Sequence, residues 1–190
     1  MDAEKVIYGT NEEEVWKQVD DEFAENPDLL QYQIIISQFG RQVNMTVDID
    51  LGGGFESGYE TTTFSTKLFC EDYFRFGIYQ QGFLDAAGKF FGMQDVVVGY
   101  PEFDSHAIVQ ANDEQKVKSL LSNDLIREVV LSFETDFSFA IRQHHIEHSA
   151  EKACFLELII EQGITNTERL RKIYNAFIQV LNFIEPQTNF

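Results

Sequence analysis

Val43-Asn44-Met45-Thr46-Val47-Asp48-Ile49-Asp50-Leu51 alternates apolar and polar residues without a break. Successive side chains of an extended chain point to opposite faces, so this run predicts a strand with one dry and one wet side. Tyr32 to Ile36 lies just upstream, and Gly40 between the two marks a hairpin turn. After Gly52-Gly53-Gly54, Thr61 to Phe69 and Tyr73 to Tyr79 add two strands to an antiparallel sheet. Further on, Phe133, Thr135, Phe137, Phe139 and Ile141 alternate with polar residues. Ala153 to Ile160 returns after a turn near Ser149 to Lys152, which gives a second hairpin.

Helical spacing fills the intervals. Thr10-Asn11-Glu12-Glu13 offers a capping box ahead of Val15, Trp16, Val19 and Phe23, and the helix runs to about Ala24, before Asn26-Pro27. Its carboxylates, Glu12 to Glu14 and Asp20 to Glu22, read as a solvated face. Phe83, Leu84, Ala87, Phe90 and Phe91 share one face of a segment between Gly82 and Gly92. That face reads as core, because the opposite side carries only Lys89 and Asp85 and lacks the basic face of a membrane-surface helix. Asn112 caps a helix with Val117, Leu120 and Leu121, and Ser122 or Asn123 restarts a second with Leu125, Ile126, Val129 and Val130. The last helix is the strongest: Thr165 and Glu168 form a capping box, and Leu170, Ile173, Tyr174, Phe177, Leu181 and Ile184 line one face until Pro186. The order of elements predicts an α+β fold, an antiparallel sheet with helices packed on one face and a long C-terminal helix. It fits a single domain over residues 1–190, with halves at 1–92 and 93–190.

Composition narrows the function classes. At 190 residues the chain should bury about 70% of the surface its unfolded form exposes, so a core without disulfides or metals is expected. Eighteen Phe and seven Tyr make rings the main packing material. Fourteen basic against thirty-two acidic residues give a net charge of -18. Such a charge repels phosphate backbones and anionic membrane surfaces, which argues against nucleic acid and favours a basic protein partner or cations. The start Met1-Asp2-Ala3-Glu4-Lys5 lacks the pattern of a secretory signal, and no apolar run approaches the about 18 residues that span a bilayer. A cytoplasmic protein without membrane insertion is expected. Cys70 and Cys154 form no CxxC and read as free buried thiols.

Between these elements, Gly99-Tyr100-Pro101-Glu102-Phe103-Asp104 precedes Ala107-Ile108-Val109 and the capped helix that carries Leu120-Leu121. A short strand at Val96 to Val98, a turn through Pro101 and a strand over His106 to Ala111 are expected here. Residues 94–133 resemble a family of uncharacterised bacterial proteins, many of them membrane-tethered, which share a Gly, a short gap, Phe-Asp, an apolar strand, an acidic cap and a Leu-Leu helix. The resemblance implies a fold and no reaction, and if the chain belongs with the tethered members a lost tether is expected. Within the segment, Phe103 reads as an anchor for the turn, Asp104 as a bond to nearby backbone amides and His106 as a satisfied or exposed histidine.

Three constellations bear on chemistry. Gln143-His144-His145-Ile146-Glu147-His148 is the candidate metal site: His144, His148 and Glu147 are the candidate ligands, and a metal-dependent enzyme would use His144, His145 and His148 with Glu147 as a second ligand or base. On a strand His144 and His148 would sit about 13 Å apart, too far to share one ion, so the reading needs a helical turn there. Asp48-Ile49-Asp50-Leu51-Gly52-Gly53 begins like a calcium loop but fails at Gly52 and Tyr59, its fifth and twelfth positions. It reads as a solvated strand end, and the triple glycine, without a following Lys-Ser or Lys-Thr, as a connection instead of a phosphate cradle. No catalytic fingerprint of the hydrolase, kinase or dinucleotide-binding kind is present. The expected function is therefore a non-catalytic acidic binding or accessory protein, without cofactors, that acts on a basic partner. The alternatives are a metal-dependent enzyme built on the histidine run and a small-ligand domain with an aromatic pocket.

Overall fold

A computed structural model describes residues 5–26, 30–38, 40–53, 57–69, 74–80, 93–145 and 152–186. The strands are β1 Lys5–Tyr8, β2 Gln31–Gln38, β3 Arg41–Asp50, β4 Tyr59–Lys67, β5 Phe76–Gln80, β6 Gln94–Asp95, β7 Ala107–Ala111, β8 Phe137–His145 and β9 Lys152–Ile160. The helices are α1 Glu12–Glu25, α2 Pro101–His106, α3 Glu114–Leu120, α4 Asp124–Leu131 and α5 Thr167–Ile184. The nine strands of the described residues join one sheet in the order β1-β2-β3-β4-β9-β8-β5-β7-β6. The α+β expectation holds, including the long C-terminal helix.

Alternation decides which face is dry. Ile34, Met45, Phe64, Leu158, Phe139 and Ile78 are opposed strand by strand and all are buried. The helices cover this face: Phe64 lies 6.0 Å from Phe177 of α5, Phe139 stacks on Phe177 at 5.7 Å, and Phe23 of α1 meets Tyr32 edge-on at 4.7 Å. On the other face Asn44, Thr46, Thr61, Thr63, Ser65 and Glu157 are all outside the core. The wet face ends at the middle of the sheet, where every residue from Phe76 to Tyr79 and from Phe137 to Ile141 is buried. The outward positions there are the small Gly77, Ser138 and Ala140, and Tyr79, whose hydroxyl burial pushes up to about 12. Among the described residues no helix is long and apolar enough to cross a membrane.

Several local expectations are corrected. The sheet is mixed, because β1, a four-residue strand without alternation, runs parallel to β2. Phe133 and Thr135 precede β8 instead of belonging to it, although Phe133 is buried against Phe137 at 5.1 Å. Pro101 opens a helix and not merely a turn; at the first helical position its missing N–H is of no consequence. Three caps sit one residue later than expected, on Asn11, Asp113 and Asn166, each accepting from the amide three residues on. The displaced Asn112 instead accepts from the Arg75 amide at 2.8 Å. The predicted helix between Gly82 and Gly92 and the turn at Ser149 to Lys152 lie, apart from Lys152 itself, outside the described residues.

The Phe103-Asp104 pair behaves as its chemistry requires. Phe103 is fully buried, and the Asp104 carboxylate accepts from Val98 N at 2.8 Å and Gly99 N at 2.9 Å. His106 packs flat on Phe137 at 6.0 Å, with Nε2 3.1 Å from the Val130 carbonyl. Replacing Asp104 with Ala orphans two amides at once and should cost about 1 to 3 kcal/mol, whereas Asp104→Asn, which keeps one acceptor, should cost less. Denaturant midpoints of the two variants check the order.

Candidate functional site

Strand pairing gathers carboxylates at one end of the sheet. Asp50, at the end of β3, is paired with Tyr59, the first residue of β4, and Ile49 with Glu60. From the far side β9 finishes with Ile160 opposite Thr62, so the next residue, Glu161, emerges beside them. The connection that follows is fixed by Thr62, whose hydroxyl donates to the Gln162 carbonyl at 2.7 Å and accepts from Ile164 N at 2.9 Å. The result is an open hollow of about 590 Å³ whose walls include Asp50, Tyr59, Glu60, Thr61 and Glu161.

Its remaining walls are Leu51 and Gly58. Leu51 is 72% exposed and Tyr59 52%, so two large apolar surfaces stand in water beside three carboxylates. Gly58 admits no side chain, since a Cβ there would collide with the Asp50 carbonyl. The carboxylates are partly engaged: Asp50 accepts from Gly52 N at 2.9 Å and Glu60 from Gly163 N at 3.2 Å. Asp48, one pleat back, accepts the Tyr59 hydroxyl proton at 3.0 Å. That hydrogen bond and the Asp48 charge hold the Tyr59 phenol above its ordinary value of 10.0.

Such a site suits cations. The described lining residues present carboxylates and an aromatic face and include no Lys or Arg. A lysine or arginine side chain can lay its stem on Leu51 and Tyr59 while its charged head meets Asp50, Glu60 or Glu161. The Asp48-Ile49-Asp50 run is a solvated strand end, as expected, and Gly52 and Gly53 continue it without regular structure. Sequence reading did not reach Glu60 and Glu161: Glu60 joins Asp50 through the β3–β4 hairpin, and Glu161 only through the long-range pairing of β4 with β9.

The histidine run is placed in part. His144 lies on the outward face of β8, and its Nε2 is 2.9 Å from Oε1 of Glu157 on β9. The other Glu157 oxygen faces Arg142 at 3.7 Å, and Arg142 donates to the Ser138 hydroxyl at 2.5 Å. His145 follows on the strand and pairs with Lys152, so the two rings leave the backbone on opposite sides. Glu147 and His148 lie outside the described residues. Among the described residues no group of three or more His, Cys, Asp or Glu is arranged to hold a metal ion. Cys154 is a half-buried free thiol, and Cys70 lies outside the described residues.

Comparison with protein-family models, with curated proteins and with solved structures found no match to this chain. In an absorbance titration of phenolate formation, Asp48→Asn should move one of the late-ionising tyrosines, Tyr59, toward the ordinary value, while the buried Tyr79 and Tyr174 stay late. A titration unchanged by that substitution would show that Asp48 does not hold the Tyr59 proton.

Proposed function

We propose that the chain is a non-catalytic binding protein that takes a basic segment of a partner protein at the acidic end of its sheet. The observation that carries this reading is the open hollow that Asp50, Glu60 and Glu161 line together with the exposed Tyr59 and Leu51, with no Lys or Arg among its described lining residues. A net charge of -18 supports it from a distance, because the field draws basic partners and repels nucleic acid and anionic membranes. On this reading the likeness of residues 94–133 to uncharacterised bacterial proteins concerns the scaffold, and the acidic end supplies the specificity.

Charge at the hollow and charge in general are separable. Proteins that co-purify with the full chain at about 50 mM salt but are lost at about 300 mM should include a basic partner, whose affinity is then measured directly. Asp50→Asn/Glu60→Gln/Glu161→Gln should weaken that partner about tenfold or more. Asp20→Asn/Asp21→Asn/Glu25→Gln on α1 removes the same number of charges from residues that do not line the hollow and should change affinity far less. Equal losses in the two variants, or an affinity indifferent to salt, would sink the proposal.

A further inference from the structure

A second hollow, of about 500 Å³, lies between the start of α1, the β2–β3 turn and the C-terminal half of α5. Its size falls within the about 300 to 1,000 Å³ typical of small-molecule sites. Five side-chain carboxamides line it, from Asn11, Gln38, Asn175, Gln179 and Asn182, together with the Arg41 guanidinium. Val43, fully buried, and Ile178 add an apolar wall.

Two of the lining groups carry buried polar atoms without a hydrogen-bond partner among the described residues: Nη1 of Arg41 and Oδ1 of Asn182. Buried donors and acceptors are normally satisfied, so a pair of orphans on one hollow calls for an explanation. Arg41 is not loose, for its Nη2 donates to the Glu185 carbonyl at the end of α5. That bond fixes the guanidinium and leaves Nη1 without a partner on a hollow that Asn182, three residues before Glu185, also lines. Glu12, on the same hollow, is already held by Arg171 at 2.5 Å and Asn175 at 3.0 Å. Among the described lining residues the unspent charge-bearing donor is thus Arg41 Nη1; Asn11 caps α1, Asn175 donates to Glu12 and Gln38 accepts from the Tyr174 hydroxyl, so the remaining polar capacity rests with Asn182 and Gln179.

This chemistry selects the ligand. A fixed guanidinium N–H seeks a carboxylate or another strong acceptor. A molecule of charge -18 disfavours ligands with several negative charges, so a nucleotide is a poor match. Carboxamide oxygens accept from an ammonium without demanding a counter-charge, and the Val43 and Ile178 wall takes an apolar body. We propose that this hollow binds a free α-amino acid, with its carboxylate on Arg41, its ammonium on Asn182 and neighbouring carboxamides, and its side chain against Val43 and Ile178. The site is separate from the acidic end of the sheet and stands or falls without it.

The test is a thermal-shift screen of the full chain against the free amino acids, followed by calorimetry on any that bind. At about a hundredfold excess over Kd a ligand should raise the midpoint by about 5 °C or more. The decarboxylated amine and the N-acetylated form of the same amino acid should each bind about tenfold or more weakly. Arg41→Gln should abolish the response. Asn182→Leu, which replaces one orphan with an apolar group, should keep or raise the midpoint of the free protein while losing the ligand response, so that loss of fold and loss of site are told apart. If no amino acid shifts the midpoint, if the amine binds as well as its parent, or if Asn182→Leu binds undiminished, the proposal is wrong.

Discussion

The antiparallel pairing of β4 with β9 makes one sheet out of two sets of strands. On one side of that seam β1 to β4 follow one another; on the other, β9 leads through β8 and β5 to β7 and β6. Register along the seam places Phe64 opposite Leu158, both fully buried, and a slip of one residue would turn every inward side chain of β9 to the wet face. Thr62 fixes the register chemically, since its hydroxyl serves both a carbonyl and an amide of the segment that leaves β9. The long helix α5 lies across the seam, with Tyr174 and Phe177 on Phe64 and Phe177 on Phe139 beyond it. Rings from both sides of the sheet's join therefore share one layer.

The same seam explains why the polar features lie at its ends. Where β9 runs out, Glu161 comes to line the same open hollow as Glu60 and Asp50. Along α5, Arg171 reaches back to Glu12 and Glu13 in the first turn of α1. Burial raises the Glu12 carboxyl, but hydrogen bonds from Asn175 and Arg171 outweigh it and hold the group below its ordinary value. Docking of α1 on α5 is thus guided by charge at the rim and by Trp16 against Tyr174, 5.7 Å apart, within.

Much of this was legible in the residues. The alternation from Val43 to Asp50 gave β3 and its dry face, Gly40 with φ of 74° gave the turn before it, and the apolar stripe of α5 gave its length and orientation. What escaped reading shares a cause: local chemistry permitted more than one answer. Thr10 and Asn11, Asn112 and Asp113, Thr165 and Asn166 are adjacent residues of similar capping ability, and only the path of the entering chain selects between them. Pro101 fits a turn and a first helical position equally, and six residues are too few to show a period. Lys5 to Tyr8 has no alternation and becomes a strand through its partner β2. The acidic hollow was hidden for a different reason: Asp50, Glu60 and Glu161 belong to three separate stretches, and no spacing within any one of them announces the others.

The Thr62–Ile164 bond joins residues 102 positions apart. Hairpin partners among β2, β3 and β4 meet across short connections, whereas β4 must await the return of β9 before its second edge is covered. Closing so long a loop is entropically slow, and the edge stays open in the meantime. During synthesis, β4 is an outer strand until residue 160 has been made. An exposed edge invites pairing with another chain. The composition of β4 answers that hazard: Glu60 near one end, Lys67 at the other, and threonines and serine between them in place of the valines and isoleucines that fill β2 and β3. The threonine run that reads as an ordinary strand former thus also protects the growing polypeptide from its neighbours.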